Sequence, residues 1–445
     1  MPVLNFGINK IILVRTWNVH QNSDLATLTL CSSPTGTLCI LSSEMHFGWT
    51  SPSLPLLTSG AYKFRITSDE ASWLAVILLA GTIVGALFTG CLADVLGRKK
   101  IILLTSVPLF AGWVLIGLAD SVEELYAARF IAGLSSGISI SMIPMYLGEI
   151  AEPEVRAAYS PLVLFSTFVW MPESPSFLLR KGRVEDARRT LETLRGKENA
   201  DRELKRLEEA VREEIAAKPS VLELFRDQIN RRAAVVAFGL RTVQQFCGTT
   251  AITFYCKTIF EQTSDFMSPN ISTIVYFSLQ LIIAFFASFL VDIFGRRPLL
   301  KISLYGTCST LFLMSGFIYV KDRTDVDTSN YNVVLVLLLL LNVSSVSVGI
   351  RNIPLLMMGE MFSPSIKPIA LCVGTILYSI LASLSAKLFH VTSEILGMYV
   401  PFLIFAALSF LSVFFVVFYV PETKGKTLED IQRELEGKRD ECSKC

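Results

Sequence analysis

Long apolar runs recur along the chain, and they have the length a bilayer demands. A hydrocarbon core of roughly 30 Å takes about 20 mostly apolar residues per spanning helix. Nine windows meet that need, at 71–92, 101–119, 125–147, 233–258, 268–291, 298–320, 332–357, 368–390 and 399–420. A tenth, 36–57, is interrupted by Glu44 and His46, and an ionised group at mid-membrane is costly unless it faces a cavity or a partner. Between Met171 and Arg232 the pattern changes to Glu, Arg and Leu with few turn residues, including Arg180, Lys181, Arg183, Arg188, Arg189, Arg195, Lys197, Arg202, Lys205 and Arg206. That period predicts short amphipathic helices outside lipid.

Composition agrees: 52% of the 445 residues are hydrophobic and only 18% charged, which excludes a water-facing globule and a disordered chain. Lys and Arg (40) balance Asp and Glu (39), so no bulk field would recruit nucleic acid. The nine cysteines, Cys31, Cys39, Cys91, Cys247, Cys256, Cys308, Cys372, Cys442 and Cys445, lie mostly in apolar runs without metal-ligand spacing. They read as reduced fillers, the last two in a polar tail for which palmitoylation is the second reading. The first 24 residues lack the pattern of a cleaved signal peptide. His20, His46 and His390 are scattered, no Ser/His/Asp arrangement is present, and neither an enzyme nor a cofactor is implied.

Arg98, Lys99 and Lys100, then Arg296 and Arg297, then Lys424 and Lys426 fall at helix ends on what helix counting makes one face. Basic residues mark the cytoplasmic side, which puts both termini inside. Asn270-Ile271-Ser272 is then an extracellular glycosylation acceptor, whereas Asn342-Val343-Ser344 lies within an apolar run.

Three motifs repeat in the same order. Asp94-Val95-Leu96-Gly97-Arg98-Lys99 returns as Asp292-Ile293-Phe294-Gly295-Arg296-Arg297, at an offset of 198. Gly148-Glu149 with Pro153 and Arg156 returns as Gly359-Glu360 with Pro364 and Lys367, at 211; Pro172-Glu173 returns as Pro421-Glu422, at 249. Two homologous halves related about the membrane normal account for this. The offset grows by 38 between the last two motifs, close to two helices, and Tyr159 to Met171 is too short to cross a bilayer. The expected organisation is an N-terminal segment (1–35), an incomplete first half (36–171), a cytoplasmic helical linker (172–232), a six-helix second half (233–420) and a cytoplasmic tail (421–445).

Gly48-Trp49-Thr50-Ser51-Pro52, Gly90-x-Leu92-Ala93-Asp94-x-x-Gly97-Arg98-Lys99, Arg129-Phe130, Pro172-Glu173-Ser174-Pro175, Gln244-Gln245-x-x-Gly248 and Pro421-Glu422-Thr423-Lys424-Gly425 follow one another in this order. Together they resemble the sugar porter family of the major facilitator superfamily, from Gly48 to Asp430, and look most like the insect facilitated trehalose transporter branch. The resemblance implies an all-α membrane protein, a two-half bundle with about ten of the usual twelve helices. It implies a facilitative carrier of trehalose or a hexose in the plasma membrane, working by alternating access, with the sugar and the bilayer as partners. The rival reading, prompted by the gap, is a non-transporting sugar sensor or truncated partner-binding protein.

Gln244 and Gln245 sit mid-helix, and an amide in hydrocarbon requires a partner. By resemblance they contact sugar, with Gln280 as companion; hydrogen bonding between helices is the alternative. Thr50, Thr250 and Tyr378 stand at further pocket positions, and Phe254 and Tyr255 resemble an outer aromatic lid. Asp94, Arg98, Lys99, Glu149, Arg156 and Glu173, with Asp292, Arg296, Arg297, Glu360, Lys367 and Glu422, resemble an ion-pair gate at the cytoplasmic side. Gly133 and Gly137 form a small-xxx-small pattern for close helix packing. Departures from the family are Thr250 for Asn, Arg351-Asn352 for Gly-Pro, Leu355 for Trp and Tyr378 for Asn, so hexose selectivity does not carry over. Arg241 is either a cavity ligand or the mark of a bent segment. Proton-linked relatives hold an acid at the position of Thr50, beside an Arg matching Arg129; Thr50 cannot titrate, which implies facilitated diffusion, with Glu44 the group to test.

Overall fold

The computed structural model describes residues 43–60, 63–150, 173–195, 197–217, 221–263, 267–324, 331–363, 366–426 and 428–436. The expected stub at 159–171, and Arg156, lie outside them, and so do the side chains of Asp94 and Glu149. Among the described residues every regular element is a helix. The elements are α1 (43–58), α2 (Ser68–Leu96), α3 (Arg98–Leu118), α4 (Val122–Ile150), α5 (Pro175–Arg180), α6 (Val184–Arg195), α7 (Lys197–Ala217) and α8 (Glu223–Arg226). They continue as α9 (Gln228–Phe246), α10 (Thr249–Thr263), α11 (Pro269–Phe294), α12 (Arg296–Arg323), α13 (Asn332–Val348), α14 (Ile353–Met361), α15 (Lys367–Ile395), α16 (Tyr399–Tyr419) and α17 (Leu428–Glu436). Seven spans among the described residues are long and apolar enough to cross a membrane: most of α2, α3, α11, α12, α13 with α14, α15 and α16.

Two of the expected single spans are broken. The window 233–258 divides into α9 and α10 at Cys247 and Gly248, and 332–357 divides into α13 and α14 at Gly349 to Asn352. Gly248 has φ 76°, and a Cβ there would lie 2.5 Å from the Phe405 ring, so both conformation and space demand glycine. Broken helices leave backbone groups that lipid cannot satisfy, and the chain satisfies them internally. The Gly248 N–H donates to the Gln245 carbonyl (3.0 Å), which also accepts from Ser385 (3.2 Å). At the second break, Ile350 N donates to Ser303 Oγ (3.1 Å) and Arg351 N to the Val346 carbonyl (3.1 Å).

The chain divides into two compact units, Met1–Leu41 with Cys91–Leu104 and Met142–Lys218, and Ser42–Gly90 with Thr105–Ser141 and Pro219–Cys445. In the first, the amphipathic pattern of the charged segment becomes α5 to α7, whose Leu178, Leu179, Ala187, Leu191, Ala200, Leu204 and Val211 form an apolar core. Their outer faces carry Arg188 against Glu192 (3.5 Å) and Asp201 (3.1 Å). In the second unit, α2 and α4 touch backbone to backbone. A Cβ at Gly133 would lie 2.0 Å from the Leu78 carbonyl, one at Gly137 2.2 Å from Thr82 O, and ones at Gly81 and Gly85 2.2 and 2.0 Å from Phe130 O and Leu134 O. The glycine pattern on α4 thus has a counterpart at Gly81 and Gly85, legible as another small-xxx-small pair. On α11 Ile274, Leu281, Ile282, Phe286, Phe289 and Ile293 are exposed, the face a lipid-contacting helix presents.

Candidate functional site

A polar centre forms where α9 ends. Residues of α9 up to Cys247 belong to one apolar cluster and residues of α10 from Ala251 to another, so the break falls at their junction. Gln244 and Gln245 are both buried there. The Gln244 amide is fully engaged: Oε1 accepts from Arg241 Nη1 (3.0 Å) and Nε2 donates to the Arg351 carbonyl (2.7 Å), freed by the second break. Gln244 therefore bonds protein to protein, the alternative the sequence left open. Gln245 Oε1 accepts from Thr250 Oγ1 (2.7 Å), while its Nε2 is buried without a hydrogen-bond partner. Arg241 lies 5.2 Å from the Tyr378 ring centroid, which brings Tyr378 into the same cluster. Arg351 Nη2 stands 3.4 Å from Glu44 Oε2, so two residues foreign to the family pattern form one ion pair. Gln280 is half-buried, and its Oε1 has no partner.

Thr50 belongs to a separate group. Arg129 is wholly buried and donates to Thr50 Oγ1 and to the His46 carbonyl, with its guanidinium 5.1 Å from the Trp49 ring centroid. Among the described residues no carboxylate lies within ion-pair distance of it. His46, an interruption of the first window, stacks on Trp113 at 4.1 Å and hydrogen-bonds the Leu109 carbonyl (3.3 Å). It is accommodated by neighbours rather than exposed to lipid.

Towards the other ends of these helices the larger unit is clasped. Phe254 stacks on Phe47 (5.9 Å) and Tyr255 on Phe389 (5.2 Å), so the two expected lid residues are both packed. Lys387 of α15 reaches Asp69 of α2 (3.2 Å), donates to Ser72 (2.5 Å) and sits 4.0 Å from the Trp73 ring centroid. Ser68 donates to Glu394, which lies 3.5 Å from His390. The sequence reading missed this clasp. Its one signal was Lys387 inside an apolar run, a cation that needs a partner.

The repeated motifs have repeated geometry, each within its own unit. Gly97 and Gly295 both have φ 90°. In the smaller unit Glu173 accepts from the backbone N–H of Lys99 (3.0 Å), and in the larger one Glu422 accepts from Arg296 N (3.0 Å) and Arg297 N (2.9 Å). Arg98 donates to Ala93 O (3.0 Å) as Arg296 does to Val291 O (3.4 Å), each five residues back. Arg296 also pairs with Glu360 (2.8 Å) and Asp292 (3.4 Å). The Lys367 side chain lies near Gly359, within 3.7 Å of where a Cβ would stand.

Burial raises the Glu422 pKa, but the N–H groups of Arg296, Lys424 and Arg297 and the Arg296 charge outweigh it, holding the carboxyl below its ordinary value. A lowered folded pKa stabilises above the unfolded value and loses that contribution as pH falls through the folded one. Glu422→Gln should flatten the acid limb of the thermal-melting profile, by about 1 kcal/mol because the site is partly solvent-screened. An acid limb unchanged in the variant would refute the assignment.

Comparison with known proteins follows the same lines. The family model described as "Sugar (and other) transporter" matches residues 36–161 and 157–435, two segments that meet where the repeat is contracted. The facilitated trehalose transporter Tret1 of Drosophila willistoni is 32% identical over 427 residues, covering 88% of this chain and 49% of the relative. Tret1 of Drosophila mojavensis is 33% identical with the same coverage. The chain thus spans about half the length of the curated relatives it matches. Among solved structures, the proton:xylose symporter XylE bound to 6-bromo-6-deoxy-D-glucose superposes with a TM-score of 0.71 at 19% identity, covering 93% of this chain and 99% of that one, a likeness of fold.

Proposed function

We propose that this chain, which belongs to the sugar porters of the major facilitator superfamily, carries a sugar, trehalose or a hexose, down its gradient by alternating access. The observation that supports the reading is the polar centre itself. Two glutamines, Thr250, Tyr378 and two broken helices converge inside an apolar bundle, while the ends of α2 and α15 beyond it are clasped by Lys387, Asp69 and Glu394. A carrier needs such a closed end in one state and an open one in the next.

In this reading Gln245 and Thr250 hold sugar hydroxyls, with Gln280 at the margin, and Phe254 and Tyr255 shut the outer side with the clasp. Thr50 keeps Arg129 in place without a titrating acid, hence a carrier rather than a proton symporter. The repeat-related charges, from Asp94, Arg98, Lys99, Glu149, Arg156 and Glu173 to Asp292, Arg296, Arg297, Glu360, Lys367 and Glu422, act as the inner gate. The protein sits in the plasma membrane with its termini inside, and the exposed Asn270 carries the glycan. The 38-residue contraction favours a second reading, a sensor that binds sugar without moving it.

Uptake of radiolabelled trehalose and glucose into vesicles bearing the full chain separates the two. Saturable uptake above empty vesicles, unchanged by a pH gradient, is the expected result. Uptake equal to empty vesicles would leave the sensor reading, and uptake that follows the proton gradient would end the uniporter one.

A further inference from the structure

A charge buried in an apolar bundle without a counter-charge is costly, and the charges of the cluster joined through Gln244 do not cancel. It holds two guanidinium groups, Arg241 and Arg351, and one carboxylate, Glu44, which is spent on Arg351 at 3.4 Å. Arg241 is only 5% exposed. Among the described residues no carboxylate stands within ion-pair distance of it; its contacts are the Gln244 amide oxygen and the Tyr378 ring. A ring contributes about 0.5–2 kcal/mol to a cation, whereas a buried unpaired ion costs several. Arginine does not shed its proton to escape that cost.

The hydrogen-bonding capacity left open at this centre has the same sign. Arg241 Nε is buried without an acceptor, and so is Nε2 of Gln245, four residues on along the same helix. The two acceptor oxygens of the glutamine pair are already taken, by Arg241 and Thr250. Unfilled donors beside an unbalanced cation suit an anion. A guanidinium fork matches a carboxylate or phosphate through two parallel bonds, which water or a neutral hydroxyl cannot reproduce.

We propose that the ligand of this centre is a carbohydrate bearing an anionic group, a carboxylate or a phosphate, with Arg241 taking the charge and Gln245 with Thr250 the neighbouring hydroxyls. The proposal rests on the polar centre being the sugar site. It does not require that the chain transport.

Equilibrium binding to the full chain in lipid nanodiscs tests it, with titrations of glucose, glucuronate, glucose 6-phosphate and inorganic phosphate. At least one charged sugar should bind about tenfold or more tighter than glucose. Arg241→Gln should reduce that ratio to near one, and Arg241→Lys, which keeps the charge and loses the fork, should retain some of it. Three results would overturn the proposal: charged sugars binding no tighter than glucose, a preference that survives Arg241→Gln, or inorganic phosphate binding as tightly as glucose 6-phosphate. The wild-type comparison stands even if a variant fails to fold. A chain that binds charged sugars yet takes up none contradicts the carrier reading alone. One that takes up glucose but binds charged sugars no more tightly contradicts this proposal alone.

Discussion

A leucine in place of Gly133 should leave almost no folded protein in the membrane. A Cβ at this position would lie 2.0 Å from the Leu78 carbonyl oxygen and 3.1 Å from the Gly81 Cα, both backbone atoms of α2 that no rotamer change can move. Overpacking a core costs typically 1–3 kcal/mol and occasionally more. Here the whole isobutyl group must push apart a pair of helices in backbone contact, so the upper end of that range or beyond applies, against a net stability of about 5–15 kcal/mol. Gly117 is the control, since nothing lies within 4 Å of a Cβ built there. Fluorescence-detected size exclusion of tagged variants would show Gly117→Leu eluting as wild type and Gly133→Leu lost to aggregate. A monodisperse Gly133→Leu peak of wild-type height would mean that α2 and α4 do not pack as described.

Gln245→Ala should reduce sugar uptake about tenfold at subsaturating sugar. The side chain has one amide oxygen held by Thr250 and one amide nitrogen without a partner, so its open donor is available to a ligand. Removing it deletes that contact and frees the Thr250 hydroxyl from its position. Two hydrogen bonds at 0.5–1.5 kcal/mol each come to about 1.4 kcal/mol or somewhat more, and 1.4 kcal/mol is a factor of ten. Gln244→Ala acts differently, because both polar atoms of Gln244 are spent on Arg241 and Arg351. Its loss should lower the melting temperature as well as uptake, and by more than Gln245→Ala, which breaks one protein–protein side-chain hydrogen bond rather than two. Uptake unchanged in Gln245→Ala, at equal surface level, would remove that residue from the sugar site.

Seven of the nine clear windows, all but 125–147 and 233–258, match spans among the described residues, and they were legible because lipid imposes a length and an apolar composition that few other environments share. The internal repeat was legible too, and its physical cause is a shared local device: a left-handed glycine ends one helix, and a carboxylate from a distant segment caps the next, Glu173 on Lys99 and Glu422 on Arg296 and Arg297. The breaks after Phe246 and Val348 escaped the hydropathy windows, which average through the two residues Cys247 and Gly248 and the four from Gly349 to Asn352. Arg241 and Arg351 were their trace, both basic and both near a break. Nor could the pattern along the chain say what a buried amide would touch. Gln244 and Arg351 are 107 residues apart, and only the bent backbone of the second helix offers the carbonyl that takes the amide. The clasp at Asp69 and Lys387 bridges 318 residues, and each member alone reads as an ordinary helix-end charge or an intruder.

The proposed alternating access requires motion at that clasp: in that reading the ends of α2 and α15 separate and rejoin as sugar passes. Cysteines at Asp69 and Lys387, joined by a short reducible bifunctional thiol crosslinker in vesicles, hold those ends together while leaving the polar centre intact. Radiolabelled sugar uptake by the joined protein should fall to the level of empty vesicles and return when the crosslinker is cleaved. Undiminished uptake with the crosslink complete would contradict alternating access through this end of the molecule.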